Sequence, residues 1–347
     1  MRRIILSFVD IFVGCYFYHF FYNICRSISH AAEYSEIDIR GETVIMLDWQ
    51  IPINKIHEKH CLNIEQCDPN AILYHYTSPA GLLGILNSST LWMSDSDFLN
   101  DSSESDYFYD VYHKATPSEG ETRKEDFFRF TAGMFSYYHS SMFSSPRQTA
   151  GRVKETRYIL SMSLDRDNLN LWSYYTKNAN SVGYSIGIKE DLFKYLRRED
   201  EDESLLSGKV IYDSEKQMRL LGELYQDYWE QYATLKHTYQ REYLYRKMED
   251  NIVRYSVFMK NPLFAHENEY RVAVVRLGSN STQQRLFREM NGAFIPYITQ
   301  SIDLRDIVEI GISPTHRTEF VTRSLRELLE AKGIDANPYN SEVPLRY

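Results

Sequence analysis

Hydrophobic and polar positions change period several times along the chain. Residues 72–76 (ILYHY) form a short apolar run of strand type. Ser78-Pro79 follows, and a proline in the first turn opens a helix over residues 80–87. Leu82, Leu83, Ile85 and Leu86 are its expected apolar face. A second strand is predicted at 90–93. Residues 95–110 are acidic and read as a loop entering a Tyr-rich helix. Residues 122–142 read as helical, 157–164 (RYILSMSL) alternate like a strand, and 170–175 (NLWSYY) suit a short helix or turn. Residues 181–188 (SVGYSIGI) predict another strand, and 197–203 (RREDEDE) a solvated charge run. The longest helical signal covers 215–255. There Leu221, Tyr225, Tyr228, Tyr232, Leu235, Tyr239 and Tyr243 recur at helical spacing, a stripe read as packing. Strands are predicted at 269–277 (EYRVAVVRL) and 307–312 (IVEIGI), then a helix at 318–332 and an edge strand at 334–338. Residues 26–70 are mixed and polar, with a strand-like patch at 43–47 and punctuation by Pro52 and Pro69.

This order lacks regular βαβ alternation and argues an α+β fold. It divides into an N-terminal extension, 1–70, and a domain, 71–347, carrying a helical insert at about 213–258. No Gly-rich dinucleotide fingerprint or P-loop is present, so Rossmann-type and Walker-type phosphate binding lack support.

The formal net charge of −9 argues against a general nucleic-acid-coating protein. Any nucleic-acid contact must come through a local patch, and Arg271, Arg276, Arg285 and Arg288 are candidates. The 28 tyrosines either build a Tyr-rich core or supply stacking faces for flat ligands. The four cysteines fit a reduced, cytoplasmic chain better than a disulfide framework. His57, His60, Cys61 and Cys67 can be drawn as a zinc set, but the spacing lacks a zinc signature and no metal is assigned. Residues 4–25 are strongly apolar and long enough to span a bilayer, though Asp10, His19 and Asn23 interrupt them. Membrane association through this segment, a buried or partner-binding helix, and an extension outside the folded unit all remain open.

Two segments can carry chemistry. His75 sits late in an apolar strand, where a ring can make one directed bond into a cleft, and Tyr76, Thr77 and Ser78 add hydroxyls suited to a ribose or diphosphate. The bland alternative is a core histidine with a satisfied bond. Glu267 and Glu269 form an E-x-E pair at the mouth of the strongest late strand. In an extended segment both would face one cleft, with Arg271 on the same face. The alternative is a salt-bridged strand edge. Ser161 and Ser163 precede an aromatic group of Trp172, Tyr174 and Tyr175, which could stack on a heterocycle or simply pack.

Taken as a set, LYHYTSPAGLLGIL (73–86), LWMSDSDFLND (91–101) with Glu104, LSMSLDRDNLNLWSYY (160–175), GYSIGI (183–188), NPLFAHENEYRV (261–272) and IVEIGISP (307–314) resemble a widespread bacterial family of unknown function. The first motif also resembles the opening of ADP-ribosyltransferases of the toxin and phage-defence type. That resemblance implies a mixed or antiparallel sheet core and NAD as a substrate. His75 would hold the nicotinamide ribose, with Thr77 and Ser78 beside it. Glu269 would be the catalytic carboxylate, and Tyr175, Trp172 or Tyr174 would stack on nicotinamide. Tyr76, Ser163, Glu267 and Arg271 would complete the NAD site.

The function expected is ADP-ribosyl transfer to a nucleic-acid or protein acceptor, in a toxin or antiviral-defence effector that could have an antitoxin or trigger partner. NAD hydrolysis on the same fold, and a non-catalytic, membrane-tethered binding or sensor module, are the alternatives. Glu269→Gln is expected to leave folding intact and abolish NAD consumption.

Overall fold

A computed structural model describes residues 34–39, 42–99, 104–115, 155–175, 182–190, 203–277, 284–290, 292–315 and 318–344. The segments 4–25 and 122–142, with Asn100 and Asp101, lie outside these described residues.

Strand β3 (Ile72–Thr77) leads into helix α2 (Pro79–Ser88). Ser78 caps α2: its Oγ accepts the Gly81 N–H at 3.1 Å, and Pro79 needs no hydrogen bond at the first turn. Ser89, in the left-handed region at φ 52°, ends the helix. Leu82, Ile85 and Leu86 are buried as expected, but Leu83 is 45% exposed and belongs to the outer face.

The other elements, in chain order, begin with β1 (Tyr34–Ile39), β2 (Glu42–Leu47) and α1 (Gln50–Cys61). After α2 come β4 (Thr90–Asp95), α3 (Glu104–Ala115), β5 (Glu155–Ser163), α4 (Leu169–Tyr175), β6 (Tyr184–Lys189) and β7 (Glu203–Lys209). Helices α5 (Ser214–Tyr232) and α6 (Thr238–Phe258) follow. The chain closes with β8 (Glu269–Leu277), β9 (Leu286–Met290), β10 (Ala293–Ser301), β11 (Ile307–Ile312), α7 (Glu319–Lys332) and β12 (Asn337–Asn340).

The fold is α+β. Besides the β1–β2 hairpin, ten described strands form a mostly antiparallel sheet in the order β12-β11-β6-β3-β5-β4-β10-β9, with β8 on β5 and β7 on β8. Strand β5 is the junction. Strand β8 runs along one of its edges from Glu155 to Ser163. The other edge is shared: β4 meets it at Ser94↔Ile159 and Asp95↔Tyr158, and β3 only at Tyr74↔Ser163. The sheet therefore forks between β3 and β4.

Each face of the sheet has its own core. On one face Leu73, Leu160, Met162, Val272 and Ile310 pack against Leu82 and Ile85 of α2 and Leu325 and Leu329 of α7. On the other, Ile159, Ala273 and Val275 pack under Leu221, Leu224 and Tyr228 of α5 and Leu244, Ile252 and Tyr255 of α6.

The single helix expected over 215–255 is a pair, broken at 233–237. Gln240 Oε1 accepts the backbone N–H groups of both Lys236 and His237, at 3.1 Å each, and so starts a new helix. The Tyr stripe is packing: Tyr225, Tyr228 and Tyr232 are buried, and Tyr239 and Tyr243 meet Trp49 edge-on.

Candidate active site at the sheet fork

His75 stands at the fork. Residues 160–162 of β5 have no strand on that edge, and the His75 ring lies there with Nδ1 3.5 Å from the Ser161 carbonyl oxygen. Burial, with a smaller push from the Arg288 charge, lowers the imidazole pKa to about 4. The ring is therefore neutral near pH 7, with one donor and one acceptor nitrogen. Thr77 is buried, and the Ser78 hydroxyl is occupied as the α2 cap.

The carboxylates lie two strands away, where β8 starts. Arg271 donates to Glu269 through Nε (2.8 Å to Oε1) and Nη2 (3.1 Å to Oε2), and donates Nη1 to the Val257 carbonyl at 2.7 Å. Lys260 Nζ lies 2.5 Å from Glu267 Oε2 and 3.3 Å from Glu269 Oε2. Two carboxylates and two cations thus balance in a nearly dry site. Burial works to raise the Glu269 pKa, but the Arg271 guanidinium and then the Lys260 ammonium hold it at about 2. Glu267 moves the other way: burial raises its pKa, and the neighbouring Glu269 charge adds to that.

The two carboxylates do not line up along an extended strand as expected. Asn268 between them is in the left-handed region at φ 43°, ending the turn Pro262–Glu267, so Glu267 belongs to a turn and Glu269 to a strand. They meet through Lys260 instead. Ser163 fixes this corner by donating its Oγ to the Glu267 carbonyl at 2.8 Å while accepting the Asp165 N–H at 3.1 Å.

The aromatics are mostly structural. Trp172 is fully buried; it meets Tyr76 edge-on at 4.7 Å and donates Nε1 to Asp167 Oδ1 at 2.6 Å. Tyr76 is buried too, its hydroxyl donating to the Asp165 carbonyl and accepting from the Asn168 N–H. Neither offers an open face. The Tyr175 side chain lies outside the described residues. Tyr174 is 42% exposed, and its hydroxyl is 2.9 Å from Nε2 of His266, the neighbour of Glu267.

The structure therefore gathers Ser163, Glu267, Glu269 and Arg271 with Lys260, Tyr174 and His266. It does not put His75 in contact with them. The register Tyr74↔Ser163↔Glu269 places those three residues on one face, so alternation sends His75 to the other. Among the described residues no hydrogen bond or ion pair joins His75 to Glu269. Lys260 was missed in the sequence because only the path of the chain from α6 into the turn brings it to both glutamates.

The expected basic patch breaks up. Arg271 is bound to Glu269, and Arg276 is buried with Nη2 2.6 Å from Glu203 Oε1. Arg285 pairs with Asp95 at 2.6 Å, and Arg288 reaches Ser94 Oγ at 2.9 Å and lies over Trp92. The drawn zinc set does not converge as four: His57 and Cys61 are neighbours, but the other two are not with them. His60 bonds Tyr255 and Asp227, and Cys67 is buried elsewhere. No described helix is long and apolar enough to cross a membrane.

Residues 171–272, from α4 into β8, match the family model described as "Protein of unknown function (DUF2971)". The matched segment holds Trp172, Tyr174, the α5–α6 pair, Lys260, Glu267, Glu269 and Arg271, and brings no activity with it. No curated protein matches the chain.

Proposed function

We propose that the protein is an NAD-dependent ADP-ribosyltransferase acting on a nucleic-acid or protein acceptor, in the manner of a toxin or antiviral-defence effector. One observation carries the reading. The strands bearing His75, the serines Ser161 and Ser163, and Glu269 are consecutive neighbours, β3–β5–β8, and the sheet opens between the first of them and β4. A histidine strand followed by a later glutamate strand is the arrangement that the ADP-ribosyltransferase resemblance implies.

The chemistry suits these groups. Breaking the nicotinamide–ribose bond builds positive charge on the ribose, and a preorganised carboxylate stabilises it. Glu269, with a pKa held at about 2, is ionised throughout the working pH range. Its low exposure makes it a fixed source of field, and Glu267 is the carboxylate nearer to solvent, with side-chain exposures of 3% and 17%. Neutral His75 faces away from the carboxylates and would have to reach the ribose hydroxyls through the gap between β3 and β4, and Tyr174 supplies the open aromatic face for nicotinamide.

NAD consumption by the full chain, followed by chromatography, tests the reading. His75→Asn and Glu267→Gln should each lower turnover at least tenfold while thermal melting stays within a few degrees of wild type. Turnover unchanged in both variants would sink it.

A further inference from the structure

Helix α1 packs its polar side against α6 on the helical layer, away from the fork. His57 and Cys61 lie one turn apart on α1, so they share a face. Asp250 on α6 meets them: His57 Nε2 is 2.6 Å from Asp250 Oδ2, and Cys61 Sγ is 3.8 Å from His57 Nε2. The ligand atoms of all three fall within 4.8 Å of one another. We propose that His57, Cys61 and Asp250 bind a divalent transition-metal ion of the zinc type, which clasps α1 to α6.

The donor set is one imidazole nitrogen, one thiolate and one carboxylate, the mixture that borderline ions such as zinc take. Tetrahedral bonds of about 2.0 Å to nitrogen and 2.3 Å to sulfur would set those two atoms about 3.5 Å apart. The observed 3.8 Å is close to that spacing, but Sγ is nearly equidistant from the two ring nitrogens, so the thiol must also swing toward the Nε2 lone pair before one ion can reach both. The carboxylate oxygen must back away from its hydrogen-bonding distance by less than about 1 Å to reach the same geometry. Asp250 is on the exposed side, with 38% side-chain exposure against 16% for His57, which leaves a solvent-facing fourth position for water.

A supporting shell is in place. Asn251 donates Nδ2 toward Cys61 Sγ at 3.5 Å and to the His57 carbonyl at 3.2 Å. Its Oδ1 accepts the buried Tyr228 hydroxyl at 2.7 Å, which fixes the amide orientation. Arg254 Nε donates to Asp250 Oδ2 at 2.9 Å and keeps that carboxylate ionised, as a metal requires. Arg254 and nearby Lys247 also repel a cation, so affinity should fall below that of a closed four-ligand site. A Cys–His–Asp nucleophile fits less well. Direct proton transfer needs Sγ in line with a ring nitrogen at close hydrogen-bonding distance, whereas Cys61 Sγ lies 3.9 and 3.8 Å from the two nitrogens and in line with neither; an ion between them would bridge that gap once the thiol swings.

Cobalt(II) is the probe. Chelator-treated full-length protein titrated with Co2+ should bind one equivalent with a near-ultraviolet thiolate-to-cobalt band, which Zn2+ then displaces. Cys61→Ser should abolish the band, and His57→Gln and Asp250→Asn should each weaken binding at least tenfold. No saturable band, or one that survives Cys61→Ser, overturns the proposal. A second readout needs no variant: Zn2+ should slow alkylation of Cys61, located by peptide mapping, at least tenfold. An unchanged rate overturns it as well.

Discussion

Glu269 accepts three charged hydrogen bonds from Arg271 and Lys260 while almost shielded from water. The expectation that Glu269→Gln would leave folding intact therefore does not hold. The amide would strand the Arg271 guanidinium, itself 1% exposed, and breaking a buried pair in this way costs about 3–5 kcal/mol. Denaturant melts should show that loss, so inactivity of this variant would not by itself reveal a catalytic role. Glu267→Gln is the cleaner probe, since Lys260 keeps Glu269. The acid behaviour follows from the same pair. Glu269 has a folded pKa of about 2 against 4.5 for the ordinary side chain, so its stabilisation is complete above pH 4.5 and is lost as pH falls toward 2. The raised Glu267 acts in a different interval: its contribution is full below pH 4.5 and is lost as pH rises above that value. For His75 the neutral form is the one that fits. Its folded pKa of about 4 lies below the usual 6.5, so stability is full above 6.5 and declines as pH falls from 6.5 to 4. His75→Asn should flatten stability against pH over that interval, and an unaltered slope would contradict the burial assigned to the ring.

At the scale of elements, α2 gives a paired test. A methyl at Gly81 would meet Thr77 Oγ1 at 2.1 Å, whereas one at Gly84 meets nothing within 4 Å. Gly81→Ala should destabilise by about 1–3 kcal/mol, because the helix start must shift off β3. Gly84→Ala should stabilise by about 0.5–1 kcal/mol through helix propensity alone. Chemical denaturation of the two variants reads both signs. Helix α2 was legible because its cap, proline and apolar spacing agree. Helix α1 was not: Pro52 was read as punctuation, yet it sits in the first turn, where its missing N–H is tolerated. Strands β9 and β10 escaped because Phe287 and Phe294 face solvent, blurring the alternation, and Pro296 argues against a strand. His75, the serines and the E-x-E pair could be read as candidates from type and position. That Glu269 is clamped by Lys260 could not, because the contact depends on the left-handed turn at Asn268 and on where α6 ends.

Across the whole molecule, one feature carries the proposed function: a sheet that forks at His75, with the serine and glutamate strands beside it. The helical pair covers one face of this region, and α2 with α7 covers the other. The net charge of −9 sets no broad attractive field for nucleic acid, and two of the four candidate arginines are consumed in buried pairs. Under the proposed function, an acceptor would therefore have to be recognised locally at the fork. The most direct test of the central claim is incubation of the full chain with NAD labelled in its adenylate half, in the presence of DNA, RNA and protein fractions. A transferase should move label onto one macromolecular fraction and release nicotinamide in equal amount, and His75→Asn should abolish both. Label recovered only as unattached ADP-ribose would make the protein a hydrolase, and intact NAD with every acceptor would contradict the account and leave a binding module.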